Sequence, residues 1–541
     1  MDPFFLGIDC STQSLTGIII NFENNEVIFK ESLNYDKDFP EYKTKNGVIY
    51  SEDENIVHSN PLMWVDALEQ LLKKINNQGF LLSHVKAISG SAQQHGTVYV
   101  SSSFEKIIKN LEITKKLSSQ IKSTLTRTTS PIWMDSSTSA QCKEIRENLG
   151  GKENVIQITG SNTYERFSGP QIRKFYQENP MEYQRTSKIH LISSFLASIL
   201  IGKNAPIDYS DGTGMNLMNI KEKSWDNKAL IATAPDLRQK LPQLISSVEV
   251  IGKISKFFCK KYNFAPNVKI IAWSGDNPDS LIGTGLIEKS NFAISLGTSD
   301  TFFGYLTDLS FNFNEEGHIF RAPTGDFMSL LCFKNGSLAR ERMKDIFNLR
   351  WSEVSKILND TLPGNEGKII LPYFFPEIVP LVQKPKIYRF GLDEKDVKGN
   401  IRGIIEAQFL SMRLHSIWIN ERPRKIIATG GASENKEILQ VIANIFQAPV
   451  ERFEILDSAA LGAALRAAFS FFKSQGIQYT WREITNKLLE RYTTKKILPD
   501  TKTKKLYKDM VILYKEYENF ILKNGPNPEE KRQNFMVKYF Q

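Results

Sequence analysis

Asp9 closes the apolar run Phe4-Phe5-Leu6-Gly7-Ile8. The next four residues, Cys10 to Gln13, are small or polar, and Leu15 to Asn21 is largely apolar again. This pattern predicts strand, tight turn, strand. A carboxylate at the point where a strand empties into a hydroxyl-rich turn can hold a divalent metal. The turn itself, with Thr12 and Gln13, offers N–H and hydroxyl donors to phosphate oxygens. The same letters also describe a plain meander with a turn-favouring Asp. A second device of this kind runs from Asn291 to Tyr305, with Gly297, Thr298 and Ser299 in its turn. Just ahead of it, the predicted strand Val268 to Trp273 delivers Asp276 and Asn277 at its C-terminal end, where open α/β sheets meet their ligands. A carboxylate there can take a proton from a hydroxyl. His95 follows the predicted strand Val85 to Ser89, and a neutral imidazole at that position can donate one hydrogen bond and accept another; a structural histidine bonded to backbone is the other reading. Finally, the strand Lys425 to Thr429 opens into Gly430-Gly431-Ala432-Ser433-Glu434-Asn435 before a helix. Small residues there let a nucleotide approach the backbone, and the helix start offers donors. No Gly-Lys-Ser/Thr follows, so this is not a P-loop.

The elements needed to position these residues suggest a duplicated chain. Two similar hairpins half a chain apart predict two α/β domains facing across a cleft, and 541 residues exceed what one core supports. Pro266 and Asn267 interrupt the pattern, which puts the boundary after Ala265 and gives domains 1–265 and 266–541. Helices are expected from Pro61 to Lys74, Ile189 to Leu200 and Ile401 to Asn420. Ser101 to Ser130 reads as a surface elaboration and Leu362 to Arg389 as an irregular lobe. The small-residue stretch Asp457 to Ala464 reads as a helix packed against the Gly430 element, and Asn524 to Asn534 as a frayed surface segment.

Lys and Arg number 69 against 60 Asp and Glu, a net charge of +9. The excess is scattered and mostly lysine, without the Arg-rich track of a nucleic-acid binder, so no nucleic-acid partner is expected. Four dispersed cysteines form no metal-ligand spacing. No secretory leader and no run of transmembrane length is read, so a cytoplasmic protein without a membrane partner is expected.

Five segments together resemble a known family. They are Ser89-Gly90-Ser91-Ala92-Gln93-Gln94-His95-Gly96, Tyr164-Glu165-Arg166-Phe167-Ser168-Gly169, Ser274-Gly275-Asp276-Asn277-Pro278, Leu331-Cys332-Phe333-Lys334-Asn335-Gly336-Ser337 and Thr429-Gly430-Gly431-Ala432-Ser433-Glu434-Asn435-Lys436. In order and spacing, over nearly the whole chain, they resemble the carbohydrate kinases that share the actin-like ATPase fold, and most closely the larger, eukaryotic-like branch acting on D-xylulose. The resemblance implies two ribonuclease-H-like domains, ATP and Mg2+ as cofactors, and a monomer or homodimer. It places His95, Arg166, Asp276 and Asn277 on the sugar, with Asp276 as general base. Asp9 falls to the metal, Thr12, Gln13, Gly297, Thr298 and Ser299 to the phosphates, and Trp351, Gly431, Ala432 and Asn435 to the nucleotide. Trp133 and Asp135 resemble a segment near the sugar, although core packing and a helix N-cap describe them equally well. One departure stands out: the family's first phosphate turn has Gly two residues after the Asp, and here that residue is Ser11. A kinase for ribulose, glycerol or another polyol is the close alternative. A nucleotide-binding structural protein or an inactive homologue would lack a use for the sugar residues or for Asp9 and Asp276 together.

Overall fold

The computed structural model describes residues 3–79, 82–454, 457–494 and 496–541. The chain forms two compact units. The first comprises residues 1–287, 319–328 and 457–491, and the second comprises 288–318, 329–456 and 492–541.

The first unit is built on a twisted mixed sheet. Phe4–Cys10 pairs antiparallel with Ser14–Asn21, which pairs with Glu26–Asn34, and on its other side Phe4–Cys10 runs parallel to Val85–Ala92. Lys269–Ile271 and then Ser274–Gly275 add parallel to Val85–Ala92. These two short strands tie residues 266–287 to the first sheet, so the first unit extends past Ala265 and the strand leading to Asp276 belongs to it. A pair of breaks at Pro266 and Asn267 marks a loop within a unit here, because strand pairing, not composition, decides membership.

The second sheet repeats the plan. Asn291–Leu296 pairs antiparallel with Asp300–Leu306 and parallel with Lys425–Thr429, which runs parallel to Val450–Arg452. In the strand order Phe327–Phe333 flanks Asp300–Leu306. Both sheets therefore carry an antiparallel hairpin followed by parallel strands, and in both the turn of that hairpin is one of the hydroxyl-rich turns.

The helix Pro61–Asn77 starts at Asn60, whose side chain accepts the Leu62 N–H, and buries Met63, Trp64, Leu68, Leu71 and Leu72 on the first sheet. Elsewhere tertiary pairing overrides local pattern. Lys188–Leu191 is a strand against Thr97–Val100, and the helix begins only at Ile192. The polar stretch after Ser101 contains the helices Ser103–Lys109 and Leu117–Ile121, which bury Phe104, Ile108, Leu117 and Ile121 at i, i+4 spacing. The lobe expected to be irregular pairs Ile369–Pro372 with Ile387–Phe390. The tail is anchored too: Glu529–Phe540 is a helix that buries Arg532 and Phe535.

The helix Ser458–Ser474 packs on the first unit's sheet and on the helix Asp276–Gly283. The reason is backbone contact. A Cβ added to Gly283 would meet Ser458 O at 1.9 Å, and one added to Gly462 would meet Asp279 O at 1.9 Å. Small residues at these positions let the two helix backbones touch.

In the second unit His415, at the end of the helix Val397–His415, is buried between two carboxylates: Nδ1 lies 3.1 Å from Glu316 and Nε2 lies 2.9 Å from Glu518. Burial pulls its pKa down, but the hydrogen bonds to Glu316 and Glu518 outweigh burial and raise it to about 9. The protonated ring therefore stabilises the fold fully below the unfolded value of 6.5, and that contribution is lost as pH rises through about 9. The melting temperature of His415→Gln should fall furthest below wild type under pH 6.5 and converge toward it by pH 9. A deficit independent of pH would show that the charge plays no part.

Candidate active site

In the first unit three neighbouring segments converge at the C-terminal ends of parallel strands. Asp9 is nearly the last residue of its strand and is buried, with Ser11 Oγ donating to one carboxylate oxygen and Ser91 Oγ to the other. Burial raises its pKa, the two hydroxyls oppose that, and the charge of Asp457 adds to it. In the turn beyond, Thr12 Oγ1 donates to Gln93 Oε1 at 3.3 Å and accepts the Trp133 indole N–H at 2.8 Å, while the Gln13 side chain is exposed.

Asp276 is the first residue of the helix Asp276–Gly283, immediately after the strand Ser274–Gly275. Its Oδ1 accepts the Asn277 backbone N–H at 2.8 Å and the Asn277 side-chain amide at 3.0 Å. The second hydrogen of that amide goes to Gln94 Oε1 at 3.0 Å. Burial, followed by the negative charge of Asp9, pushes the Asp276 carboxyl up to about 7, against backbone hydrogen bonds from Asn277 and Gln94. A half-buried carboxylate at a helix start, with a pKa near neutrality, suits a proton acceptor working at pH 7.

His95 has a left-handed backbone, φ 73°, and is buried. Its Nδ1 lies 2.8 Å from Gly214 O, so Nδ1 carries the proton and Nε2 is left as an acceptor. Burial and then the charge of Arg166 pull its pKa down to about 3, which keeps the ring neutral. Arg166 is half-buried, with its guanidinium over the Tyr164 ring at 5.6 Å. The first unit thus brings Asp9, Thr12, His95, Arg166, Asp276 and Asn277 into one neighbourhood.

Trp133 is 42% exposed, so it is no core residue, and its bond to Thr12 fixes it beside the turn. Asp135 is buried and accepts Val57 N at 3.0 Å and Gln171 Nε2 at 2.7 Å; the helix after it starts at Ser139 with Thr138 at its N-cap, so Asp135 is a loop anchor. Two features left no local signal. Arg466, on the helix Ser458–Ser474, is wholly buried and donates to Asp279 at 2.5 and 3.0 Å, to Ser247 O, to Ala272 O and to Gly90 O. It spends all its donors on holding the segments that carry Asp276. The buried acids Asp208 and Asp211 lie beneath the same segments: Asp208 accepts the Ser274 hydroxyl at 2.8 Å.

In the second unit a cavity of about 730 Å³ is lined by Gly297, Thr298, Trp351, Gly431, Ala432 and Asn435, among others. The Thr298 and Ser299 side chains are exposed in the turn. Helix Ser337–Ile346 pins that turn through Ser337 N to Gly297 O at 3.0 Å, and Arg340 holds Asp300 with bonds of 2.6 and 2.8 Å. Trp351, the first residue of the helix Trp351–Asp360, is 38% exposed. Nothing lies within 4 Å of a Cβ placed on Gly431, so the backbone there faces open space. Asn435 caps the helix Lys436–Phe446 by accepting Glu437 N and Ile438 N, both at 3.1 Å, and donates to Ser355 Oγ at 2.8 Å. The cap takes two of the donors that the helix start would otherwise offer an anion.

Among the described residues no helix is long and apolar enough to cross a membrane, and no group of three or more His, Cys, Asp or Glu is placed to hold a metal.

Known proteins share this architecture. The chain is 19% identical to the ligand-bound xylulose kinase structure from Lactobacillus acidophilus, with a TM-score of 0.80 over 96% of this chain and 98% of that one, which shows the actin-like kinase fold. It is 39% identical to xylulose kinase of Rattus norvegicus across 97% of this chain and 98% of that protein. It is 41% identical to xylulose kinase 2 of Arabidopsis thaliana across 86% and 87%. The models of the N-terminal and C-terminal domains of the FGGY carbohydrate kinases match residues 4–283 and 292–471. The fold, the shared length and both domain matches agree, and the chain belongs to the FGGY family of carbohydrate kinases.

Proposed function

We propose that this chain transfers the terminal phosphoryl group of ATP to the primary hydroxyl of D-xylulose, giving D-xylulose 5-phosphate. The observation that carries the chemistry is Asp276, a half-buried carboxyl with a pKa of about 7, held by Asn277, whose amide also bonds Gln94, the chain neighbour of the neutral His95. The names of the relatives that match nearly end to end support the choice of sugar.

In this reading the substrate hydroxyl donates a hydrogen bond to Asp276. The proton passes to the carboxylate as the oxygen attacks phosphorus, late in a largely dissociative transfer. Asn277 fixes the carboxylate and can turn toward a second hydroxyl. His95 Nε2 accepts from a sugar hydroxyl, and Arg166 supplies planar donors to vicinal oxygens. The first unit thus binds the sugar, and the turn at Thr12 and Gln13 offers donors to phosphate. The second unit binds the nucleotide, with Trp351 against one side of the base and Gly431, Ala432 and Asn435 against the adenosine. Thr298 and Ser299 give hydroxyl donors to the phosphates, with Gly297 in the same turn.

Asp9 fits a Mg2+ ion. Magnesium keeps most of its waters and takes one or two carboxylates together with phosphate oxygens, so it needs no cluster of acids. The hydroxyls of Ser11 and Ser91 leave each Asp9 oxygen a further lone pair, and a cation would relieve the cost of ionising a buried acid. When bound, the ion neutralises phosphate charge.

The test is a phosphorylation panel of D-xylulose, D-ribulose, glycerol and aldohexoses with ATP, run with and without Mg2+. D-xylulose should give the highest kcat/KM, and only with Mg2+. An equal or higher kcat/KM for ribulose or glycerol would overturn the choice of sugar.

A further inference from the structure

Beneath Asp276 lie two buried polar atoms without a hydrogen-bond partner: Asp211 Oδ1 and Gln94 Nε2. The side chains are 2% and 3% exposed. They flank the same point. A Cβ added to Gly275 would meet Gln94 Cγ at 2.5 Å, Gln94 Cδ at 2.9 Å and Asp211 Oδ1 at 3.0 Å. An orphaned donor and an orphaned acceptor side by side, in a place water cannot reach, are costly apart and satisfied together by a small rotation. The other ends of both groups are already engaged. Asp211 Oδ2 bonds to Ser193 Oγ at 2.6 Å, and Gln94 Oε1 takes the Asn277 amide that also holds Asp276.

We propose that Asp211 is a positioning residue for phosphoryl transfer: it fixes the Gln94 amide, and through Gln94 and Asn277 it fixes the carboxylate of Asp276. The inference rests on the role given to Asp276 above. Burial makes ionisation of Asp211 costly and favours its neutral form. Burial, then the charge of Asp208, pushes its pKa well above the carboxylate range; Ser193 opposes this, while Asp276 and Asp279 reinforce it. Ser193 Oγ–H donates to Oδ2 of the ionised acid; in the neutral acid that hydroxyl turns round, so that Oδ2–H donates to Ser193 Oγ and Oδ1 accepts from Gln94 Nε2. An asparagine can reproduce this pattern, with Nδ2 to Ser193 and Oδ1 from Gln94, and an alanine cannot. Gly275 is required for the same contact, because any side chain there would stand between the two groups.

The test pairs Asp211→Asn, Asp211→Ala and Gln94→Ala. Asp211→Asn should keep kcat within about twofold of wild type, whereas Asp211→Ala should lower kcat about tenfold or more with little change in ATP affinity. The double variant Asp211→Ala/Gln94→Ala should be no slower than the worse single variant, since both break one chain. Wild-type kcat in Asp211→Ala, fully additive losses in the double variant, or failure of Asn to rescue would each overturn the proposal. The same cycle on urea unfolding reads the Asp211–Gln94 coupling without turnover. Coupling present in a protein that phosphorylates no sugar would sink the proposed function and leave the contact standing; coupling absent from unfolding would sink the contact itself.

Discussion

Asp276→Asn will lower kcat by roughly 10²–10⁴-fold, the usual contribution of a positioned proton acceptor, and leave ATP binding near normal. The exchange is close to isosteric, and the amide can still take the Asn277 N–H, so the loss reads the proton transfer itself. The wild-type pH profile should carry the signature of the same group. With its carboxyl held at about 7, the free enzyme has a competent base only above that value, so kcat/KM should climb through pH 7 and level off above it. The stability effect has the opposite sign. Folded Asp276 keeps its proton to about pH 7, whereas the unfolded chain releases it near 3.8, so ionisation costs stability as pH rises through that window. Asp276→Asn carries no such cost and should be at least as stable as wild type at pH 8. A variant that is slow because it is misfolded would fail that comparison, and one that keeps wild-type kcat would remove Asp276 from the chemistry.

Arg466→Leu is expected to be the most damaging substitution outside the site, lowering the stability of the first unit by about 3–5 kcal/mol. The side chain is wholly buried, and its removal leaves Asp279 without its partner: burial already raises that carboxyl to about 8 against the pull of Arg466, so the acid takes up a proton, beside three carbonyls that lose their donors. Asp279 stands one helical turn from Asp276, so activity should fall with stability. Adding Asp279→Asn should recover part of the loss by removing the partnerless buried acid. Urea unfolding followed by tryptophan fluorescence reads both, and a loss below about 1 kcal/mol would mean that packing of the small-residue helix, not the arginine, holds these segments.

What was legible in the sequence follows from the range of the forces involved. Asp9, Asp276 and the turn at Gly297 were visible because a strand entering a small polar turn is written in a handful of consecutive residues. The cavity-lining Gly431 and Asn435 were visible for the same reason. Arg166 and Trp351 were reached only through family resemblance, since a lone arginine or tryptophan has no local pattern to distinguish a ligand contact from packing. Arg466 and Asp211 were not legible at all. Their meaning lies in partners 187 residues away in one case and in a hypothetical Cβ of Gly275 in the other. The unit boundary was missed because Lys269–Ile271 gains more from pairing with Val85–Ala92 than a proline and an asparagine can signal. The helix Glu529–Phe540 likewise depends on what Arg532 and Phe535 bury against, which its polar letters conceal.

The first unit is discontinuous in the chain, and this bears on its birth at the ribosome. Its sheet is complete once residue 275 has emerged, but the helix that covers it begins only at Ser458. At about 5–20 residues per second, the nascent sheet waits on the order of ten seconds with its apolar face uncovered. During that interval it is a natural client for holdase chaperones, and a fragment stopped at Ile287 should stay trapped in that state and aggregate. Supplying residues 457–491 as a separate peptide should rescue such a fragment, making the late helix a folding cofactor encoded in the protein's own sequence.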